Sequence, residues 1–309
     1  MISTKDFVTL KVSNDTFVEA INYACRSVYF TYDRMNYGPQ LYNRLIRIVV
    51  GVAIEKTFEE YLRVLRVPFE TTGRTHWRQR DKAEFDLKKL KLDIKGYHVY
   101  PAADRHFPDW FLDVEGLVPK DQLEKTESPD IYLQAFLVSP QINNSIIHQY
   151  VANFPVIWAN RWREPRNIIV NGSFDRLISF FGENASSLNQ PVFENFDCCE
   201  LVHVNFDSIT SEAKYCSLQY ARTDQRPDKP LIIQIANNGS HIINSKDWID
   251  LWLQEPTVTF TGWGTKQDYK SGKILPPHIA TRIYTGGTRT FNYCRLIQKL
   301  RPLKELIDA

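Results

Sequence analysis

The sequence lacks the cysteine patterns of zinc-bound and disulfide-rich domains. Its 309 residues include five cysteines, none of them in a Cys-x-x-Cys pair or grouped with histidines at zinc-ligand spacing. An odd number of scattered cysteines is typical of reduced thiols in a cytosolic setting. A disulfide framework and a structural zinc site of these types are therefore excluded as the basis of the fold.

Long apolar runs and several well-known motifs are also missing. The longest apolar run covers residues 48–54, far short of the ~20 residues that span a bilayer. The first residues do not contain the apolar core of a secretory signal peptide. No phosphate-binding P-loop, dinucleotide fingerprint or Gly-x-Ser-x-Gly nucleophile motif occurs. We therefore expect a soluble, cytoplasmic protein with no membrane partner.

The net charge is small, but the charge is unevenly distributed. The chain has 38 basic and 36 acidic residues, a net charge of +2, and 43% of its residues are hydrophobic. Residues 257–309 alone hold nine lysines and arginines against three acids. A basic segment on an otherwise neutral chain is typical of a polyanion-binding surface, and also of a plain solvated face.

Hydrophobic periodicity predicts an α/β organisation. Helical spacing covers residues 14–30 and 39–66, and Pro68 ends the second helix. A β-hairpin over 83–96 and a buried strand over 130–139 follow, separated by a loop with one helical turn. Further along we predict strands at 155–160, 167–172 and 230–236, and helices at 174–182, 246–255 and 295–307. We place a domain boundary near 160, with a core in 1–160 and a substrate-binding region in 161–309.

Two aspartates and a lysine occupy the hairpin. A two-residue turn at 89–90 would set Asp86 opposite Asp93, and opposed residues project to the same side of a sheet. The strand period of two brings Lys95 to that side and turns the leucines to the other. Opposed carboxylates repel each other, but a divalent cation between them would be coordinated by both. Oxygen ligands of this kind favour Mg²⁺. A nearby lysine can assist an attacking water or stabilise phosphate charge, so the pattern predicts phosphodiester hydrolysis.

This arrangement resembles the PD-(D/E)xK nucleases, the restriction-endonuclease-like superfamily. Their core is a helix with a glutamate, a hairpin with Asp and (Asp/Glu)-x-Lys, and then a further helix and strand. The resemblance covers roughly residues 45–140. It implies a mixed sheet flanked by helices, here with a basic, β-rich C-terminal region. It implies these roles: Asp86, Asp93 and the carbonyl of Ile94 as metal ligands, Lys95 as the catalytic lysine, Glu55 as the helix acid and Gln134 as a weaker candidate.

Alternatives within the hairpin remain open. The family often has a proline before its first acid, where this chain has Phe85. Asp81 or Glu84 could therefore replace Asp86 as the first acid. The triplet from Asp86 to Lys88 is a rival acid-x-Lys register. The same residues also suit a solvated hairpin face with ordinary ion pairs.

Two groups of basic residues are candidates for nucleic-acid contacts. Extended backbone over 74–80 would align three arginines next to the acids. Such a row suits phosphate contacts, and it is equally typical of a strand edge protected by charge. The Gly- and Thr-rich segment 261–266 is typical of loops that approach a nucleic-acid backbone, or of turns in a β-rich domain. Lysines and aromatic residues alternate after it, which suits phosphate contacts combined with base stacking. The candidates are Arg74, Arg78, Arg80, Lys266, Lys270 and Lys273, with Tyr269, Tyr284 and Phe291 as the aromatic residues.

These features predict a Mg²⁺-dependent DNA endonuclease. The absence of helicase or ATPase motifs and the family resemblance suggest a sequence-specific restriction or defence enzyme. Duplex DNA would then be cut by a homodimer, with one subunit for each strand. A nucleic-acid-binding protein without catalysis and an RNA-directed nuclease are the alternatives.

Overall fold

The structure of the protein is a computed structural model, which describes the chain in several ranges separated by gaps. It covers residues 1–31, 41–71, 85–101, 107–125, 128–139, 253 and 255–308, and several strands between 154 and 250. Those strands, and residues 22, 25–31 and 41–42, are described by backbone only. Within the part of the chain that the structure describes, no helix has the length and apolar character needed to cross a membrane.

The chain forms two compact units that are each discontinuous in sequence. The first contains residues 1–16, 50–141 and 253–309, and the second contains 17–49 and 142–252. This division differs from the predicted boundary at 160. The reason is that Thr257–Thr265 is a strand of the same sheet as the hairpin, so the C-terminal residues complete the first unit.

A six-stranded mixed sheet is the centre of the first unit. Its strand order is β1-β15-β6-β4-β3-β2, and only β4 and β6 are parallel neighbours. The strand bounds are β1 Val8–Lys11, β2 Phe69–Thr71, β3 Phe85–Leu87, β4 Leu90–Val99, β6 Ile131–Val138 and β15 Thr257–Thr265. The protein is therefore a mixed α/β fold, as the sequence predicted.

Two long helices precede the hairpin, as their periodicity predicted. They are α1, Asn14–Thr31, and α2, Leu41–Val64. The segment between β4 and β6 holds more structure than the loop predicted there. It contains α3 Asp109–Leu112, β5 Glu115–Pro119 and α4 Lys120–Leu123.

The C-terminal residues fold back against this connection. Strand β5 forms a small sheet with β17 Asn292–Leu296 and β16 Lys273–Leu275. A short helix, α5 Lys266–Lys270, follows β15, and α6 Leu303–Asp308 lies near the end of the chain. The single helix predicted over 295–307 is wrong. Its first residues complete β17, Ile297–Lys299 is one 3₁₀ turn, and Pro302 separates this turn from α6.

The second unit is described as two four-stranded antiparallel sheets. One has the order β10-β8-β12-β13 and the other β14-β7-β11-β9. Their strands are β7 Phe154–Trp162, β8 Asn167–Asn171, β9 Leu177–Phe181, β10 Glu200–His203, β11 Tyr215–Thr223, β12 Leu231–Ile235, β13 Ser240–Ile243 and β14 Ile249–Asp250. The predicted strands here are confirmed. The helices predicted at 174–182 and 246–255 are wrong, because β9 and β14 pair with β11 and β7.

The two faces of the central sheet are covered differently. Helix α2 packs on one face, where the Phe58 ring lies 5.3 Å from Phe85 and 5.2 Å from Phe260. It approaches β4 so closely that a Cβ at Gly96 would lie 2.6 Å from Ile54 Cδ1. The connection between β4 and β6 covers the other face through an aromatic stack. Phe136 stacks on Tyr97 at 5.3 Å and on Phe111 at 4.4 Å.

The β3–β4 hairpin exists as predicted, but with a different register. The turn residues are Lys88 and Lys89, so Asp86 faces Lys91 and Leu87 faces Leu90. The predicted Asp86–Asp93 pairing is therefore wrong. Both turn lysines have positive φ, 53° and 71°, the conformation of a twisted two-residue turn that normally selects Asn or Gly. The observed register differs from the predicted one by two residues, so every side chain of the hairpin still lies on its predicted face.

The strained turn makes a stability prediction. Glycine adopts φ of 71° without the cost that lysine bears, so Lys89→Gly should raise the free energy of unfolding by about 1 kcal/mol. Lys91→Gly is the matched control. Because Lys91 lies within β4, glycine there should lower the free energy of unfolding by about 1 kcal/mol. Urea unfolding measures both variants. Equal destabilisation by the two substitutions would contradict the turn assignment.

A second prediction concerns His98, which lies on the α2 face of β4. Burial lowers the pKa of His98 from 6.5 to about 4. The unfolded chain therefore binds an additional proton as pH falls below 6.5, and stability is lost towards pH 4. The loss should be about 2 kcal/mol between pH 7 and pH 5. Urea unfolding of His98→Gln at both pH values should show a smaller pH dependence than the wild type, and an unchanged dependence would contradict the buried neutral imidazole.

Candidate active site

Asp93 and Lys95 form a largely buried ion pair with Gln122. The Lys95 Nζ atom lies 2.5 Å from Asp93 Oδ2, and the two side chains are 17% and 5% exposed. Gln122, on α4, donates from Nε2 to the same Oδ2 at 2.6 Å and accepts from Lys95 Nζ through Oε1 at 2.7 Å. Each of the three side chains therefore contacts the other two, and we call this group the Asp–Lys–Gln cluster.

The parallel pairing of β4 with β6 provides one wall of the cluster. Tyr132 is the register partner of Asp93, and Lys95 Nζ lies 5.8 Å from the centre of the Tyr132 ring. The ring face attracts the ammonium group. Burial, and then the negative charge of Asp93, raise the pKa of the Tyr132 hydroxyl, which stays protonated at neutral pH.

Hydrogen bonds at the two ends of helix α4 fix its position, and this position determines where Gln122 lies. The Lys120 amide donates to the Phe291 carbonyl at 2.9 Å, and Leu123 is fully buried. At the end of the helix, Glu124 accepts a hydrogen bond from the Tyr293 hydroxyl at 2.8 Å. The C-terminal strand β17 therefore holds Gln122 against β4.

Asp86 lies on the same face as the cluster, displaced along the sheet. Its cross-strand neighbours are Glu70 on β2 and Lys91 on β4. Asp93 is the diagonal neighbour, at a Cα separation of about 7–8 Å for ideal geometry. Asp86 is half-buried and Glu70 is exposed. An acid–acid–lysine row thus crosses the three strands next to the Asp–Lys–Gln cluster.

The structure does not bring Glu55 to this face. Its neighbour Ile54 contacts Gly96, and Phe58 packs on Phe85, so α2 covers the face opposite to the Asp–Lys–Gln cluster. The Ile94 side chain is buried on that same α2 face. The roles that the family resemblance implied for Glu55 and for the Ile94 carbonyl stay predictions, and the position of α2 does not favour the first.

Gln134 is deeply buried next to the cluster. It is the register partner of Lys95, has no exposed surface, and donates from Nε2 to the Tyr269 hydroxyl at 2.6 Å. Gly116 packs so tightly against it that a Cβ there would lie 2.9 Å from Gln134 Cδ. This packing fits a structural role for Gln134.

The predicted nucleic-acid contacts have mixed outcomes. Arg74, Arg78 and Arg80 lie outside the described residues, as do the alternative acids Asp81 and Glu84. The loop predicted over 261–265 is wrong, because this segment is part of the central strand β15 and Thr261 is fully buried. Lys266 bonds to Ser128 Oγ at 2.5 Å, whereas Lys270 and Lys273 are exposed. Among the predicted stacking residues, Tyr269 is buried, and Tyr284 and Phe291 are exposed.

The donor set suits a hard cation with few protein ligands. Among the described residues, no three His, Cys, Asp or Glu side chains converge as a metal site. Mg²⁺ needs only one or two carboxylates, because it keeps several waters and also binds substrate phosphates. Asp93 and Asp86 provide two carboxylates on one face. Both cluster contacts of Asp93 end at Oδ2, so a cation would approach through Oδ1.

Sequence reasoning missed Gln122, Glu70 and Tyr132. Gln122 is separated from Asp93 by 29 positions and lies on a four-residue helix within a predicted loop. Glu70 lies on β2, and its register with Asp86 could not be derived from the sequence, because the segment that joins β2 to β3 has no pattern that fixes their pairing. Comparisons with models of protein families, with curated proteins and with solved structures found no match. The chemistry is therefore argued from the chain itself.

The buried ion pair gives a prediction independent of function. Lys95→Met leaves Asp93 buried without its counter-charge, which should lower the free energy of unfolding by about 3 kcal/mol. The double variant Asp93→Asn with Lys95→Met removes both charges and should recover most of that loss. Urea unfolding of the wild type, Lys95→Met, Asp93→Asn and the double variant gives the interaction energy of the pair as a double-mutant cycle.

Lys120→Met is the control, because Lys120 lies on α4 with an exposed side chain. It should change the free energy of unfolding by no more than about 0.5 kcal/mol. Additive effects of the Asp93 and Lys95 substitutions would show that the two charges do not interact.

Proposed function

We propose that the protein is a Mg²⁺-dependent nuclease of the PD-(D/E)xK type that hydrolyses phosphodiester bonds in DNA. The observation that carries the proposal is the Asp93–Lys95 pair, which lies on one face of β4 with Asp86 beside it. The order of elements supports it. From α2 to β6 the chain forms a helix, three antiparallel strands, a connection that contains α3, β5 and α4, and a strand parallel to β4.

Each residue of the cluster has a distinct role in this proposal. Asp93 and Asp86 would hold the ion, which would neutralise phosphate charge and lower the pKa of a bound water. Lys95 provides an ammonium group next to Asp93, which would assist the attacking water or stabilise the charge on the phosphate. Because Asp93 and Lys95 are largely buried, their charges act with little screening by water, which strengthens their effect on the reacting group.

The substrate part of the proposal rests on exposed basic residues. Lys270 and Lys273 are exposed on α5 and β16, which belong to the same unit as the cluster. Such lysines contact phosphates without reading sequence. A restriction or defence role on duplex DNA, with one subunit of a homodimer for each strand, extends the proposal by analogy with the family.

One observation favours a second candidate, a nucleic-acid-binding protein without catalysis. Asp93 is buried, and its Oδ2 atom is already bonded to Lys95 and Gln122. A carboxylate satisfied in this way stabilises the fold whether or not a cation ever binds. In that case the basic C-terminal residues would provide the binding and the cluster would be structural.

DNA cleavage separates the two candidates. Plasmid and phage DNA, single-stranded DNA and RNA would be incubated with the wild type and Mg²⁺, with Asp93→Asn and Lys95→Arg in parallel. We expect discrete fragments from duplex DNA and a rate about 10²- to 10³-fold lower for each variant. Arginine keeps the positive charge of Lys95 but does not release its proton, so its loss of activity reports on chemistry.

Asp109→Asn is the matched control, because Asp109 is an exposed aspartate on α3. It should cleave at the wild-type rate. Full activity in Asp93→Asn and Lys95→Arg would disprove the site. DNA binding without cleavage by the wild type would favour the second candidate, and cleavage of RNA alone would change the substrate.

A further inference from the structure

Gln122 connects both charged members of the cluster through one amide group. Its Nε2 donates to the Asp93 carboxylate at 2.6 Å, and its Oε1 accepts from the Lys95 ammonium at 2.7 Å. The two charges determine the orientation of the amide, because a carboxylate accepts only and an ammonium donates only. The reversed amide would place nitrogen against ammonium and oxygen against carboxylate, and would lose both bonds.

The backbone beneath Gln122 is fixed independently of the cluster. Lys120 at the start of α4 bonds to Phe291, just before β17, Glu124 just after α4 bonds to Tyr293 on β17, and Leu123 is buried in the core. The amide is therefore presented to Asp93 and Lys95 by a rigid element. Both cluster bonds of Asp93 use Oδ2, so they set the rotation of the carboxylate and the direction of its other oxygen.

We propose that Gln122 is a positioning residue for the cation site, holding the Asp93 carboxylate and the Lys95 ammonium in fixed relative geometry. The inference rests on the proposed function, because it concerns the same site. Gln122 orients the carboxylate through Oδ2, which leaves Oδ1 as the atom through which a cation would bind. Groups that hydrogen-bond to metal ligands typically change metal affinity by about 10- to 100-fold when they are removed.

The opposite role makes a contrary prediction. If Gln122 only occupied Asp93 and competed with the ion, removal of the amide would free the carboxylate and tighten cation binding. The direction of the change in affinity therefore decides between positioning and competition.

The experiment measures binding of Mn²⁺, used as a spectroscopic substitute for Mg²⁺, without any DNA. Free Mn²⁺ is followed by electron paramagnetic resonance during titration of the full-length protein. Gln122→Met keeps the length of the side chain and removes both hydrogen bonds. Gln122→Asn keeps the amide but is one methylene too short to reach both charges. We expect the dissociation constant to rise about 10- to 100-fold in both variants.

Two controls accompany the titration. Gln267→Met changes an exposed glutamine on α5 and should bind Mn²⁺ as the wild type does. Asp93→Asn should abolish binding at the site. Circular dichroism and urea unfolding establish that each variant is folded, and the Gln122→Asn variant carries the test if Gln122→Met is not.

The outcomes separate this inference from the proposed function. Unchanged or tighter binding in both Gln122 variants, with binding lost in Asp93→Asn, would overturn the positioning role and leave the metal site intact. Absence of Mn²⁺ binding by the wild type, or undiminished binding by Asp93→Asn, would overturn the metal site and the positioning role together.

Discussion

The parallel pairing of β4 with β6 is the contact on which the rest of the first unit depends. Register along this pair sets Tyr132 beside Asp93 and Gln134 beside Lys95. Parallel neighbours require a long connection between their ends, and here that connection carries α4 and its glutamine. The same pair has α2 on one face and the aromatic stack on the other, so most of both faces is covered. The charges of Asp93 and Lys95 are therefore held where water screens them little.

Burial of these charges has a cost as well as a use. An ion pair taken out of water loses hydration that its mutual attraction only partly replaces. Replacement of a buried ion pair by well-packed apolar residues of similar volume is often neutral or stabilising. A buried charge pair with a bridging amide is thus poorly explained by stability alone, which favours a role in chemistry.

Much of the central sheet could be predicted from the sequence, and the limits have physical causes. Alternation in the hairpin and the apolar run at 130–139 predicted three of the strands, β3, β4 and β6, and the alternation predicted the face of the hairpin side chains. The register could not be predicted, because the turn uses two lysines at positive φ instead of Asn-Gly. Gln122 lies on a helix too short to show periodicity. The glycines and threonines of β15 are typical of turns, so the sequence predicts a loop there, whereas in the structure the glycines allow close packing against Leu300.

The position of β15 has a consequence for how the chain folds during synthesis. This strand lies between β1 and β6, and Val8 pairs with Phe260 across most of the sequence. Until the ribosome has released residue 265, β6 has an open edge although its side chains are almost all buried in the finished sheet. Such long-range pairing is slow, and an apolar open edge invites association with other chains. Until β15 has been made and has paired with β6, the growing chain exposes this strand edge for longer than it would if β6 paired with a strand next to it in the sequence.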